Sequence, residues 1–251
     1  MKIIVYTFFL LGWIFCSAQN DKPQVIYKYQ KDTLFLNETN QPIIKKSFNL
    51  KLDSPLFSSL RFENDTLVLY KLRFSHLFGK LKISQKHQLF SLLNSRNNVD
   101  TTKVMIIHYQ DSLKPINEFA KKTGIAYNKD STTHRHVMSH KTFVVKHKDC
   151  VRKLSKRNKS NVYHYFKVNN GHPLEFKKAK WYEDYYGLID KLFRDSYSRF
   201  FTIVIHPDGS FYCKNYNDNN GKIFKDLIKG KRWKLHKKEF EENLNSLNSK
   251  V

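Results

Sequence analysis

KVMIIHYQDSLKPINEFAKKTG, residues 103–124, is the stretch from which the rest of the chain is read. Val104 to Ile107 form an apolar run with no polar face, the pattern of a strand covered on both sides. SLKPINEFAKKTG is then expected to be a helix, capped by Asp111 or Ser112 and closed by Gly124. A strand, a tight turn and a helix in succession make the opening of a strand–helix–strand crossover unit.

Downstream, NVYHYFKV (161–168) supplies the next strand, and CVRKLSKRN (150–158) a short basic helix ahead of it. The polar, histidine-rich residues 125–147 between them are expected to be an inserted loop, with KTFVVK (141–146) a β-like piece inside it. Trp181, Tyr185, Leu188, Leu192 and Phe193 mark the inner face of a helix at 180–196. FFTIVI (200–205) and SFYCKNY (210–216) flank HPDG, where Asp-Gly supplies a hairpin turn. KIFKDLIKG (222–230) then places Ile223, Phe224, Leu227 and Ile228 on one side of a helix that Gly230 can end.

Upstream, ISQKHQLFSLLN (83–94) spaces Ile83, His87, Phe90 and Leu92 or Leu93 by three or four, as an amphipathic helix does. Residues 19–82 read as a β-rich segment. TLFL, IIKKSFNLKL and TLVLYKLRF are strand-like runs punctuated by NETNQP, DSP and END, which suggests antiparallel hairpins. Trp233, Phe240, Leu244 and Leu247 give the 231–251 tail the spacing of a basic amphipathic helix.

The first eighteen residues, MKIIVYTFFLLGWIFCSA, carry one positive charge, an apolar run from Ile3 to Phe15 and then small residues. That is the order of a removable secretory signal, and the apolar run is shorter than the roughly 20 residues that a membrane-spanning helix needs. The expected location is therefore periplasmic or extracellular, with no transmembrane segment in the mature chain. Hydrophobic residues at 40% and aromatics at 15% are enough to fill a sizeable core, which excludes global disorder.

The chain has 45 Lys and Arg against 22 Asp and Glu, a formal charge of +23, and the excess is concentrated after residue 130. Such a field favours anionic partners. Lys outnumbers Arg, and Arg is the residue that reads bases and phosphates in two-point contacts, so nucleic acid is disfavoured. An envelope protein or an anionic surface polymer is the expected class of partner. Arg152, Lys153, Lys156, Arg157, Lys231 and Arg232 are the candidate contacts, because they cluster in the two most basic runs.

Four histidines, His134, His136, His140 and His147, lie within 134–147. If extended, His134 and His136 point to one face and can hold a metal ion once His140 or Asp149 arrives as a third ligand. That set carries the alternative of a metal-dependent hydrolase. His206, Asp208 and Ser210 are explained by hairpin geometry without chemistry. Cys150 and Cys213 remain after signal removal, and in an oxidising compartment they are candidates for one disulfide. Lys148, Arg152 and Lys153 beside Cys150 would lower its thiol pKa. No nucleophile elbow, phosphate-cradling loop, H-E-x-x-H run or dinucleotide fingerprint occurs, and no cofactor is called for.

Taken in order, 103–230 gives strand, helix, strand, helix, strand, strand, helix, and it resembles the thioredoxin-like family. In that family a C-x-P-C element comes after the first core strand; at the same place this chain has Leu113, Lys114, Pro115 and Ile116, with the proline kept and both thiols gone. Ser198, Arg199 and Phe200 stand where the family has a cis-proline. The resemblance implies an α/β fold (α+β overall), a thioredoxin-like domain over 83–230 behind the β-rich segment, and a redox-inactive module whose role is binding rather than catalysis.

Overall fold

The computed structural model describes residues 31–95, 99–127, 134–158, 160–176, 179–194, 200–215, 226–230 and 232–250. The signal-like residues 1–18 lie outside them. The fold is a mixed α/β one organised on a seven-stranded sheet, whose two faces are packed differently.

The first elements are β1 (Asp32–Leu36), α1 (Lys45–Leu52), β2 (Phe57–Glu63) and β3 (Leu67–Phe74). β2 and β3 are an antiparallel hairpin, turned where Asn64 Oδ1 accepts the amides of Thr66 at 3.0 Å and Leu67 at 2.7 Å. β1 pairs with β3 in parallel, not as the antiparallel neighbour expected. The reason is α1. IIKKSFNLKL is a helix over Lys45–Leu52 rather than a strand, and it carries the chain back so that β3 runs alongside β1. Its register with the core comes from Phe48 and Leu52, one helical turn apart, with Phe48 against Phe35 and Tyr70.

β4 (His76–Lys80) leaves this layer and joins the large sheet as its edge, so the segment expected to end at residue 82 is structurally continuous with the large sheet. Next come α2 (Ile83–Asn94), β5 (Met105–Leu113), β6 (Gly124–Tyr127), β7 (His134–Val137), α3 (His140–Asn158), β8 (Asn161–Asn169), β9 (Glu175–Phe176), β10 (Ala179–Glu183), α4 (Leu188–Phe193), β11 (Thr202–Ile205), β12 (Ser210–Lys214) and α5 (Trp233–Asn248). The strand order is β4-β12-β11-β5-β8-β10-β9. β5, β8 and β10 are mutually parallel, while β11, β12 and β4 alternate in direction beside them.

The fold departs from four further expectations. The helix expected over 112–123 is absent: β5 runs on to Leu113, and Pro115 leads into a single 3-10 turn at Ile116–Glu118. Proline pushes the residue before it into extended backbone, which suits a strand end better than a helix start. Gly124 opens the β6–β7 ribbon instead of closing a helix.

The crossover helix is α3, a long one that absorbs both the supposed β-like KTFVVK and the basic CVRKLSKRN. Phe143, His147, Cys150 and Leu154 recur at helical spacing along it. The helix expected over 180–196 is a strand followed by a short helix. Tyr186 at φ 61° and Gly187 at φ 62° break helical continuity between them. In α2, Ile83 and His87 are exposed, and the inner face is Leu89 and Leu93 with Phe90 and Leu92.

The apolar run of β5 is double-sided, as expected. Met105, Ile107 and Tyr109 enter a core under α2 and α4, with Leu89, Leu93, Ile189 and Phe193. Ile106 faces the opposite core, with Phe48, Leu72, Val204, Tyr212 and Phe240 drawn from the first layer, the sheet and α5. The HPDG hairpin also stands: β11 pairs with β12 from Thr202 to Lys214, with Gly209 at φ +86°.

Because Leu72 is fully buried in the core shared by both layers, Leu72→Ala is expected to cost about 2–5 kcal/mol of stability and to leave a single cooperative transition. Urea unfolding followed by circular dichroism and by tryptophan fluorescence checks this. Two separated transitions would show that the layers are independent.

Candidate functional site

His108, in mid-β5, and His164, in mid-β8, are direct cross-strand partners on the face opposite α2. Trp181 of β10 extends the row to the next strand, paired with His164. Above them lies α3. Phe143, His147 and Cys150 fall at positions i, i+4 and i+7 and so share the helix face turned to the sheet. The crossover thus brings together groups from residues 108 to 181 that no local spacing connects.

The contacts are close. Cys150 Sγ and His108 Nε2 share a hydrogen bond at 3.0 Å, and His108 Nδ1 is 3.2 Å from Thr202 Oγ1. The His108 and His164 rings stack with centroids 5.3 Å apart. His147 meets His164 edge-on at 4.7 Å and Trp181 at 4.9 Å. Phe143 stacks on Trp181 at 5.8 Å. At the start of α3, His140 Nε2 is 3.3 Å from Nε2 of buried His172, whose Nδ1 donates to the Pro173 carbonyl at 2.8 Å. Phe119 closes this end against His140 and Phe143.

This row is uncharged at neutral pH. Burial pushes His108 down to about 4, with Lys214 adding to it, and His147 down to about 3, with His108, His172 and Lys146 adding to it. His164 is held well below the ordinary imidazole range, by burial first and then by His108 and His147. Its Nε2 is buried with no hydrogen-bond partner among the described residues. Burial drives the Cys150 thiol up to about 11, outweighing the opposing pull of Lys153.

The last value corrects the expectation of a lowered thiol pKa. Lys148, Arg152 and Lys153 are exposed on α3 while Cys150 points inward, so desolvation outweighs them. A thiolate–imidazolium pair needs a histidine more basic than its thiol; here His108 is far less basic than Cys150, and the proton stays on sulfur.

The other expected sites fare differently. Both cysteines are free. Cys213 sits in the core under α2 and α4, whereas Cys150 belongs to α3 on the other face, so the sheet separates them and the expected disulfide does not form. Of the proposed metal ligands, His136 lies on β7 and His140 on α3, where it meets His172; the side chain of His134 is outside the described residues. Among the described residues no three His, Cys, Asp or Glu side chains are grouped so as to hold a metal ion.

Leu113 of the expected degenerate turn is buried at the end of β5 with Phe166 and Trp181, while Lys114 and Ile116 are exposed and no helix starts there. His206 Nε2 bonds the Leu227 carbonyl at 2.9 Å, and Asp208 accepts both Ser210 groups at 2.9 Å, so this hairpin is structural. Arg152, Lys153 and Lys156 are exposed on α3, and Arg232 is exposed ahead of α5. The Arg157 side chain and Lys231 are outside the described residues.

Sequence reasoning missed His108, His164, His172 and Trp181 as a group. The available signal was a histidine within each of two apolar strands, in MIIHY and VYHYF. No family model matches this chain, no curated protein matches it, and no solved structure matches it.

Among the described residues no helix is long and apolar enough to cross a membrane.

The histidine row sets a pH dependence. Each of these imidazoles is less basic folded than unfolded, so as pH falls below about 6.5 the unfolded chain takes up protons that the folded chain refuses. Their contribution to stability is complete above that pH. It declines, by up to about 1.4 kcal/mol per pH unit for each histidine, until the folded values are reached: about 4 for His108 and about 3 for His147. His164→Phe, which removes one of these groups from an aromatic environment, is expected to give a shallower loss between pH 7 and 5. Unfolding curves at both pH values test this, and an unchanged slope would remove His164 from the account.

Proposed function

We propose that this chain is an exported, non-catalytic binding module built on a thioredoxin-like core. Two observations support the core. The strands β12-β11-β5-β8 are adjacent in that order, with β5 and β8 parallel and connected through α3, and with β11 and β12 an antiparallel hairpin. The resemblance expected its first helix over 112–124 and its second over 180–196, so the thioredoxin-like order is kept only with α3 in the place of the first helix and the short α4 in the place of the second. The helix after the first core strand begins at His140, so in this reading the family's redox turn corresponds to the approach to α3 at Ser139, His140, Lys141 and Thr142. These residues contain no thiol, and neither do Leu113 to Ile116.

The observation that carries the redox-inactive part is the placement of the cysteines. They lie on opposite faces of the sheet, and burial raises both thiol pKa values, Cys213 well above the ordinary range. Dithiol exchange needs two sulfurs within bonding reach and one of them as thiolate. Binding through a charged outer surface fits a chain of charge +23. The signal-like start supports export, with a mature N-terminus at Gln19.

Purified residues 19–251 are expected to leave the rate of insulin reduction by dithiothreitol unchanged, and iodoacetamide is expected to label neither cysteine appreciably at pH 7 until the chain is unfolded. Accelerated reduction, or fast labelling of Cys150 in the folded protein, would overturn the redox-inactive reading. N-terminal sequencing of the protein from its native cells tests export separately, with Gln19 expected and a retained Met1 counting against it.

A further inference from the structure

We propose that the outer face of α3 is a docking surface for a linear anionic polysaccharide. Lys141, Val145, Lys148, Arg152 and Lys156 recur every three or four residues, form one stripe, and are all exposed. Lys146 and Lys153 flank the stripe and are exposed too. From His140 to Asn158 the helix carries seven Lys or Arg and a single acid, Asp149, which pairs with Arg152 at 3.2 Å.

The charge continues past the helix start. Thr123 Oγ1 lies 2.8 Å from Thr142 Oγ1, which places exposed Lys121 and Lys122 beside the first turn of α3. The positive end of the helix dipole points the same way.

α5 is the internal comparison. It is also basic by sequence, but Lys237 pairs with Glu241 and Lys238 with Glu242, each at 3.5 Å, and Glu239 is exposed alongside. Its charges are largely matched; those of α3 are not. The two basic runs that look alike in sequence therefore differ as surfaces, and the docking face belongs to α3.

The chemistry of the stripe selects the partner. Lys148, Arg152 and Lys156 succeed one another at about 6 Å along the axis, a spacing suited to a chain bearing a regular charge on its sugar units. Most of the cations are lysines, point charges without the planar fork that reads bases. No aromatic side chain stands in the stripe to stack a base, because Phe143, the one aromatic ring of α3 other than its histidines, packs inward on Trp181.

This inference rests on the binding-module reading and names its partner class. The test uses the mature chain with two polysaccharide probes, a heparin oligosaccharide and alginate, and with single-stranded DNA of matched charge, by calorimetry over a range of salt. The wild type is expected to bind both polysaccharides, with log affinity falling linearly with log salt. Lys148→Ala/Arg152→Ala/Lys156→Ala is expected to weaken binding about tenfold or more and to lower the salt slope by about two to three. Lys234→Ala/Lys238→Ala/Lys250→Ala, which removes the same charge from the α5 end, is expected to change affinity less than threefold, and circular dichroism establishes that both variants are folded. Equal weakening by the two triples would reduce the effect to net charge and overturn the site. Tighter binding of DNA would overturn the polysaccharide assignment, and no binding to either polysaccharide would overturn the proposal. Reductase activity beside intact polysaccharide binding would instead remove only the redox-inactive reading.

Discussion

The burial of β5 on both faces is the constraint on which the rest of this molecule depends. A strand that turns Met105, Ile107 and Tyr109 to one side and Ile106 and His108 to the other has to sit in the middle of a sheet and be covered twice. Parallel pairing with β8 then demands a long crossover, and α3 supplies it. The antiparallel strands β11, β12 and β4 extend the sheet on the other side, and the first layer with α5 closes what α3 leaves open. Remove the double coverage and neither the histidine row nor the basic face has a platform.

The two sides of α3 illustrate how one helix can serve opposite environments. Its inner residues are histidines, a phenylalanine and a thiol, with burial disfavouring the charged forms of His147 and Cys150; its outer residues are charged and solvated. A row of imidazoles is an unusual way to line a helix–sheet contact, since each carries two polar nitrogens that need partners. Here the partners are largely one another and nearby side chains: Cys150 and Thr202 serve His108, while His140 and the Pro173 carbonyl serve His172. Only His164 leaves a buried nitrogen of this row without one among the described residues.

Parts of this architecture were legible in the sequence because they rest on local rules. The apolar run of β5, the strand NVYHYFKV, the Asp-Gly hairpin and the tail helix each declare themselves by period or turn chemistry. Other parts were decided by tertiary context. TFVV has β-branched residues that suggest a strand, yet Val144 is buried within α3 because the neighbouring Phe143 and His147 continue a helical face. KWYE reads as the start of an amphipathic helix, yet it forms β10 of the sheet, where Trp181 lies beside His164. The turn after β5 was placed by its proline, and that proline ends a strand instead of opening a helix. The site itself was hidden for a topological reason, since residues 108, 147, 164 and 181 meet only when the crossover is folded.

The charge on α3 carries a final consequence. Lys148, Arg152 and Lys156 are stacked a turn apart, and like charges so placed disfavour an isolated helix. The positive array is therefore not a property that the segment owns; it is imposed by the neutral row beneath, which holds the helix in shape against its own repulsion. A peptide copied from 140–158 would carry the same charges without their alignment. In the folded protein the buried imidazoles act as the clamp on an external electrostatic pattern, and anything that loads them with protons loosens the spacing of cations that never touch them.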